Sequence, residues 1–217
     1  PNNRGGFNEL ITIQKAKNNE VGLKYKDAKT QWNIIYFAID TTGDLVPYEL
    51  DATPGRTFYR NAGSTVRRGV EIDLNHQFNN KLSCSMNYSY TDFSYGNYES
   101  NGERLDGNKL PGIPQSFGNI SVDYQFKHSG RLHYERTYRG KLFTNDDNTT
   151  SVAGFWRDDI SYKLPLKSAI ARAAIILGCS NLLNVKYSDN IRINAFGSRF
   201  YEAAPERTLY TALLINF

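Results

Sequence analysis

The chain has 217 residues and a formal net charge of +4, from 26 Lys and Arg against 22 Asp and Glu. So small and scattered an excess excludes a nucleic-acid binder, which needs a clustered basic face. The most apolar stretch, residues 169–183, is broken by Arg172 and falls short of the roughly 18 apolar residues of a membrane-spanning helix.

In chain order, strands are predicted over residues 19–27, 31–40, 64–78, 81–95, 115–127, 130–140, 151–164, 169–182 and 206–217. Side chains on a strand alternate between two faces, and the third strand shows it clearly. Val70, Ile72, Leu74 and Phe78 oppose Glu71, Asp73, Asn75 and Gln77. The fourth sets Leu82, Cys84, Met86, Tyr88 and Tyr90 against Ser83, Ser85, Asn87, Ser89 and Thr91, and the fifth sets Ile120, Val122, Tyr124 and Phe126 against Asn119, Ser121, Asp123 and Gln125. Asp158, beside Trp156 and on the apolar parity, offends the pattern and predicts a rim position or a bulge. In the closing strand Leu209, Thr211, Leu213, Ile215 and Phe217 share one face. Such an aromatic edge invites unwanted pairing in a soluble protein but seals the wall of a barrel in lipid.

Alternation alone also suits a sandwich. Length and connection add the constraint. Several strands exceed the usual five or six residues and match the nine to eleven of a tilted membrane strand. Connections at residues 27–31, 79–81, 127–131 and 165–168 are tight, whereas those at 41–63, 96–114, 141–150 and 183–205 are long and rich in Gly, Asn, Asp and Pro. Outer-membrane barrels have short turns on one rim and long loops on the other, while Greek-key sandwiches mix their connections. The high content of 15 Tyr and 12 Phe fits both architectures. The expected fold is all-β: an antiparallel transmembrane β-barrel wall with short periplasmic turns and long extracellular loops. Cys84 and Cys179 are expected on non-adjacent strands as free thiols.

Five segments together resemble the C-terminal part of a TonB-dependent receptor of the ferric-siderophore type. They are Asn19 to Tyr25 with its Glu20 and Gly22; Tyr59 to Gly63 followed by Arg68, Gly69, Val70 and Glu71; Leu110, Pro111, Gly112, Ile113 and Pro114; Gly178 to Tyr187 with its Asn181, Leu182, Asn184 and Tyr187; and Pro205 to Arg207 leading to Phe217. Cys179 and Ser180 depart from the valine-rich approach more usual in the family. The resemblance implies that residues 1–217 form about nine of the 22 barrel strands, with a plug domain and TonB-contacting segment upstream; the start at Pro1 rather than Met also reads as a cut. It further implies a place in the outer membrane of a Gram-negative bacterium, among lipid and lipopolysaccharide, and uptake driven by the TonB–ExbB–ExbD complex through the plug. Leu213, Ile215 and Phe217 would be the signal read by the barrel-assembly machinery. No cofactor is expected on this part of the chain, iron entering only within a transported chelate.

Candidate residues fall in two groups. Glu71, Asp73, Asp123, His133, Glu135, Arg139, Arg157, Asp159 and Arg172 form a polar lumen wall, since a charge facing hydrocarbon costs about 2–4 kcal/mol at midplane. Tyr95, Tyr98, Arg104, Phe143, Arg192, Arg199, Phe200 and Tyr201 lie on the long loops, where arginine forks suit chelate oxygens and aromatic faces cover an organic shell. Three scattered histidines give no metal-ligand spacing, Asp146 and Asp147 shape a polar loop, and no nucleophile elbow supports an enzyme. The alternatives are a β-sandwich adhesin or glycan-binding module and a passive channel. The sandwich requires Leu82, Met86, Tyr88, Ile120, Val122, Leu213 and Ile215 to converge in one dry core.

Overall fold

The computed structural model describes residues 11–49, 52, 53, 56–61, 63–100, 102–127, 130–166, 172–195, 197 and 201–216. Its strands are β1 (Lys15–Lys26), β2 (Thr30–Thr42), β3 (Leu45–Glu49), β4 (Thr57–Asn61), β5 (Ser64–Asn79), β6 (Leu82–Asn97), β7 (Glu99–Ser100), β8 (Glu103–Arg104), β9 (Ser116–Phe126), β10 (Gly130–Arg139), β11 (Leu142–Phe143), β12 (Ser151–Val152), β13 (Phe155–Leu166), β14 (Arg172–Ser180), β15 (Ser188–Ile191), β16 (Tyr201–Ala203) and β17 (Thr208–Asn216). Nine of them make one antiparallel sheet in the order β1-β2-β5-β6-β9-β10-β13-β14-β17. The other eight pair locally as β3-β4, β7-β8, β11-β12 and β15-β16. Each of these hairpins lies in one of the four long links between wall strands, and apart from β12, which takes the first residues of the predicted strand 151–164, none was predicted.

The register carries the two-faced pattern from strand to strand. Trp32 pairs with Leu74, Leu74 with Met86 and Met86 with Ile120, while one row along on the other face Asn33 pairs with Asp73, Asp73 with Asn87, Asn87 with Asn119 and Asn119 with Thr137. A slip of one residue would exchange the faces. Two of the tight turns have a local cause. The Asp27 carboxylate accepts the amides of Lys29 at 2.8 Å and Thr30 at 2.6 Å, and the Asn79 side chain accepts those of Lys81 at 2.8 Å and Leu82 at 3.1 Å. Each closes a turn of the kind Asp and Asn favour. These backbone bonds, with the Tyr25 hydroxyl, hold the Asp27 carboxyl below its usual range.

The predicted boundaries shift in places. The seventh wall strand begins at Phe155 rather than 151, because Ser151 and Val152 pair with Phe143 and Leu142 in a loop hairpin instead. Of the rim position or bulge predicted for Asp158, the bulge is absent, since β10 and β13 run in unbroken register with Asp158 opposite Arg136, and the residue stands near the long-loop end of β13, beyond the last pair with β14 at Ile160 and Cys179. Both charges have the parity of the apolar face. The Asp158 carboxylate accepts the Tyr134 hydroxyl and lies 3.7 Å from Arg136 Nε, and the Arg136 guanidinium sits 4.9 Å from the Trp156 ring centre. Pairing and an aromatic cover offset the desolvation cost that parity alone had counted. Cys84 and Cys179, in β6 and β14, are free.

No second layer covers the apolar face among the described residues. Leu177 is 51% exposed and Leu213 59%, with Ile34, Ile120, Leu23 and Ile215 also exposed. At about 1.5–3 kcal/mol per apolar side chain left in water, these six alone forfeit on the order of 10 kcal/mol, comparable to the whole net stability of a domain. Hydrocarbon removes that deficit. Among the described residues these side chains do not converge in the dry core a sandwich would need, which speaks against that alternative. The buried cluster lies at the long-loop end instead, formed by Val46, Tyr95, Tyr98, Leu105 and Leu110 with Phe93 and Ile113 packed against it. Just below it on the same face, Gly69 makes room for the Phe37 ring; a Cβ at Gly69 would stand 2.5 Å from Phe37 Cζ and from the Tyr90 carbonyl.

Candidate functional site

The polar face and the loops above it form one continuous site. Glu71, Asp73, Asp123, His133, Glu135, Arg139, Arg157 and Asp159 all share the parity of the polar face. Arg172 pairs with Asn216 at the end of β14, and its side chain lies outside the described residues. Several of these charges are matched where they stand. Asp123 accepts from Arg131 at 2.8 Å and lies 2.9 Å from His133 Nδ1. Arg157 donates to Asp159 at 2.9 Å, and Asp159 also accepts the Asn181 amide at 2.8 Å. Asn87 donates to Asn119 at 2.7 Å, and Asn119 donates to Glu135 at 3.3 Å. The wall is polar: Asp123, Arg157 and Asp159 each meet an opposite charge, and Glu135 a side-chain amide.

Asp146 draws the long loops together above this wall. Its carboxylate accepts the Tyr95 hydroxyl at 2.7 Å, the Tyr98 hydroxyl at 3.0 Å and Asn194 Nδ2 at 2.9 Å. Its amide donates to Asn194 Oδ1 at 3.0 Å, and its carbonyl accepts Asn108 Nδ2 at 3.0 Å. Arg60 lies 3.9 Å away and donates to the Tyr98 oxygen at 3.0 Å and to Ser100 Oγ at 2.6 Å. Arg60, Asn108, Asp146 and Asn194 come from the connections 43–63, 98–115, 140–154 and 181–207, so each long loop supplies one member. Burial and the adjacent Asp146 carboxylate push the Tyr98 phenol up to about 12.

The predicted loop residues separate into three kinds. Tyr95 and Tyr98, read as ligand-facing, are 2% and 3% exposed, with ring centres 4.4 Å apart; they are pillars of the knot rather than part of its surface. Arg104 is exposed beside Asp106, Arg192 donates to Glu202 at 3.2 Å, Tyr201 is exposed, and Phe143 lies 4.9 Å beneath Lys141 Nζ. Arg199 and Phe200 lie outside the described residues. Asn108 and Asn194 were not singled out in the sequence, Arg60 entered only as part of the Tyr59 to Gly63 segment, and Asp146 was read only as shaping its loop. A buried acid inside an otherwise polar loop was the available signal, and it has no periodicity to reveal it. The motif at Asn181 does have a local explanation. Asn181 and Asn184 take φ values of 52° and 54°, a region where Asn is enriched. Asn181 bonds across the turn to Val185, and Asn184 caps the Arg207 amide at 2.7 Å. Among the described residues no group of His, Cys, Asp and Glu could hold a metal ion.

Residues 2–182 match a family described as TonB dependent receptor-like, beta-barrel. An uncharacterised TonB-dependent receptor of Haemophilus influenzae is 28% identical over 148 residues, 61% of this chain and 41% of that protein. A probable TonB-dependent siderophore receptor, PiuA of Acinetobacter baumannii, is 22% identical over 218 residues, 97% of this chain and 28% of the relative. The chain therefore spans well under half the length of these relatives. In fold it is similar to BauA, the ferric preacinetobactin receptor of Acinetobacter baumannii, with a TM-score of 0.74 and 19% identity over 94% of this chain and 30% of that one.

Proposed function

We infer the function from a premise that the match supplies: this chain belongs to the TonB dependent receptor-like β-barrel family. Its place is the outer membrane of a Gram-negative bacterium, and the proteins it matches are receptors, not enzymes. On that premise the chain is the C-terminal part of the barrel of a receptor that takes up a scarce solute, a ferric siderophore. Energy reaches it from TonB, ExbB and ExbD through a plug domain. The polar face is the inner wall along which the solute passes, the Asp146 knot braces the external loops, and Arg104, Phe143, Arg192, Arg199, Phe200 and Tyr201 contribute contacts to the chelate. Iron enters only as part of that cargo. The apolar face meets outer-membrane lipid and lipopolysaccharide, and the barrel-assembly machinery inserts the wall.

One observation carries this reading. Among the described residues the sheet has an uncovered apolar face and, opposite it, a polar face topped by four cross-braced loops, an arrangement suited to a wall between lipid and a guarded aqueous path. The siderophore assignment draws on what two of the matched proteins are described as binding. The test is uptake of radioactive iron from a panel of ferric siderophores, in cells with and without the receptor and with and without TonB. Uptake of at least one chelate should vanish in either deletion. Uptake that persists without TonB would point to a passive channel, and uptake indifferent to the receptor would refute the siderophore assignment.

A further inference from the structure

Away from the Asp146 knot, a groove of about 260 Å³ lies at the long-loop end of β13 and β14. Residues 151–154 form one side, and Lys186, Tyr187, Ser188 and Tyr201 the other. Its lining offers one ammonium, the hydroxyls of Ser151, Ser188, Tyr187 and Tyr201, and the backbone around Gly154; no carboxylate lines it. Lys186 is exposed and forms no ion pair among the described residues. A cation facing a ring of hydroxyls with no acid to neutralise it suits an anionic ligand rich in oxygen.

The floor beneath the groove is built to hold still. Tyr187 stacks on Phe155 with ring centres 4.1 Å apart and planes 26° apart. The Arg139 guanidinium lies 4.7 Å from the Phe155 ring centre and donates to the Ser188 carbonyl at 2.8 Å. Arg157 donates to the Tyr187 oxygen at 3.3 Å, which leaves the phenol's own proton free to be donated to a ligand. Close approach on the far side depends on Gly154, where a Cβ would meet the Arg139 carbonyl at 2.6 Å. Arg157 is matched by Asp159, whereas Arg139 has no ion pair among the described residues and its Nε is buried without a hydrogen-bond partner. Lys186 on the groove and Arg139 beneath Ser188 thus place two cations near the same strip of hydroxyls, with the Asp189 carboxylate acting on Arg139.

We propose that this groove receives the anionic oxygen face of the transported chelate, with Lys186 setting a preference for negative over neutral complexes. Arg139 acts as a positioning residue through Ser188 and the Phe155–Tyr187 stack. The proposal rests on the uptake reading and sharpens it to a ligand charge and a contact residue.

The test uses the purified full-length receptor and two probes, the trianionic iron(III) tris-catecholate and the neutral iron(III) tris-acetohydroxamate, with affinity measured at low and high salt. Lys186→Gln should weaken the trianion about tenfold, the scale of one charge-assisted hydrogen bond, flatten its salt dependence and leave the neutral probe unchanged. Lys186→Glu should weaken the trianion further. Arg139→Gln should lower trianion affinity and its salt slope together, and Arg139→Lys should restore the slope. Equal affinity for the trianion in wild type and Lys186→Gln, an equal loss for both probes, or no binding of the trianion by the wild type would each overturn the proposal. TonB-dependent iron uptake, measured separately, would then still stand or fall by itself.

Discussion

Asp146→Ala should unlock all four long loops together while leaving the wall intact. The Asp146 side chain is 7% exposed and accepts three side-chain hydrogen bonds, from Tyr95, Tyr98 and Asn194. Alanine leaves two phenols that are 2% and 3% exposed without their acceptor. A buried donor stripped of its partner costs about 1–3 kcal/mol, so the two phenols sum to about 2–6 kcal/mol. Water entering the space left by the carboxylate lowers the upper end of that local cost. Asp146→Asn keeps one acceptor and the shape, and should cost about 1–2 kcal/mol. Native-state hydrogen exchange reads the opening directly. The amides of Tyr95, Gly107, Lys109 and Asn194 are bonded across this region, and in Asp146→Ala they should exchange on the order of a hundredfold faster or more, in step with one another, since each 1.4 kcal/mol is a factor of ten. Amides inside β9, β10 and β13 should not change. Acceleration confined to residues 140–154 would refute the idea that one carboxylate couples the loops, and equal acceleration throughout the wall would show that it supports the sheet instead.

Two further outcomes follow from the faces and the knot. Leu213→Arg, on the apolar face of β17, should cost up to about 2–4 kcal/mol if the site lies near midplane, whereas Ala212→Arg on the polar face should cost little; denaturant titration of the receptor refolded into lipid vesicles measures both, and equal costs would contradict the assignment of faces. Alkali should open the knot. Because the Tyr98 phenol is raised from 10.0 to about 12 by burial and the neighbouring Asp146 charge, the stability held by its neutral form is fully present below pH 10 and disappears as pH rises toward 12. Limited proteolysis of the loops should accelerate over that window, and a tyrosinate titration in which Tyr98→Phe removes a residue ionising near 10 would show the phenol to be unperturbed.

Much of the wall was legible because its causes are local. Alternation of Val70, Ile72 and Leu74 with Glu71 and Asp73 fixes the faces of β5 without reference to any other strand. Asp27 and Asn79 close their turns with side-chain bonds two and three residues away. The errors arose where a partner distant in sequence decided the outcome. Asp158 looked like a fault in its strand until Arg136 and Tyr134, 22 and 24 residues back, were seen beside it. Residues 151 and 152 looked like wall until Leu142 and Phe143 took them into a hairpin.

The amino-acid order thus determined by itself that the chain is a run of long antiparallel strands with one apolar and one polar side, since period-two alternation and Asx turns act over a few residues. Only the tertiary structure decided that the apolar side has no cover among the described residues, that Tyr95 and Tyr98 are buried, and that Asp146 is the point where four loops meet. Those bonds join residues 51 and 48 positions apart. Such a contact forms because strand register brings the loop bases side by side, and register is a property of the whole sheet rather than of any segment within it.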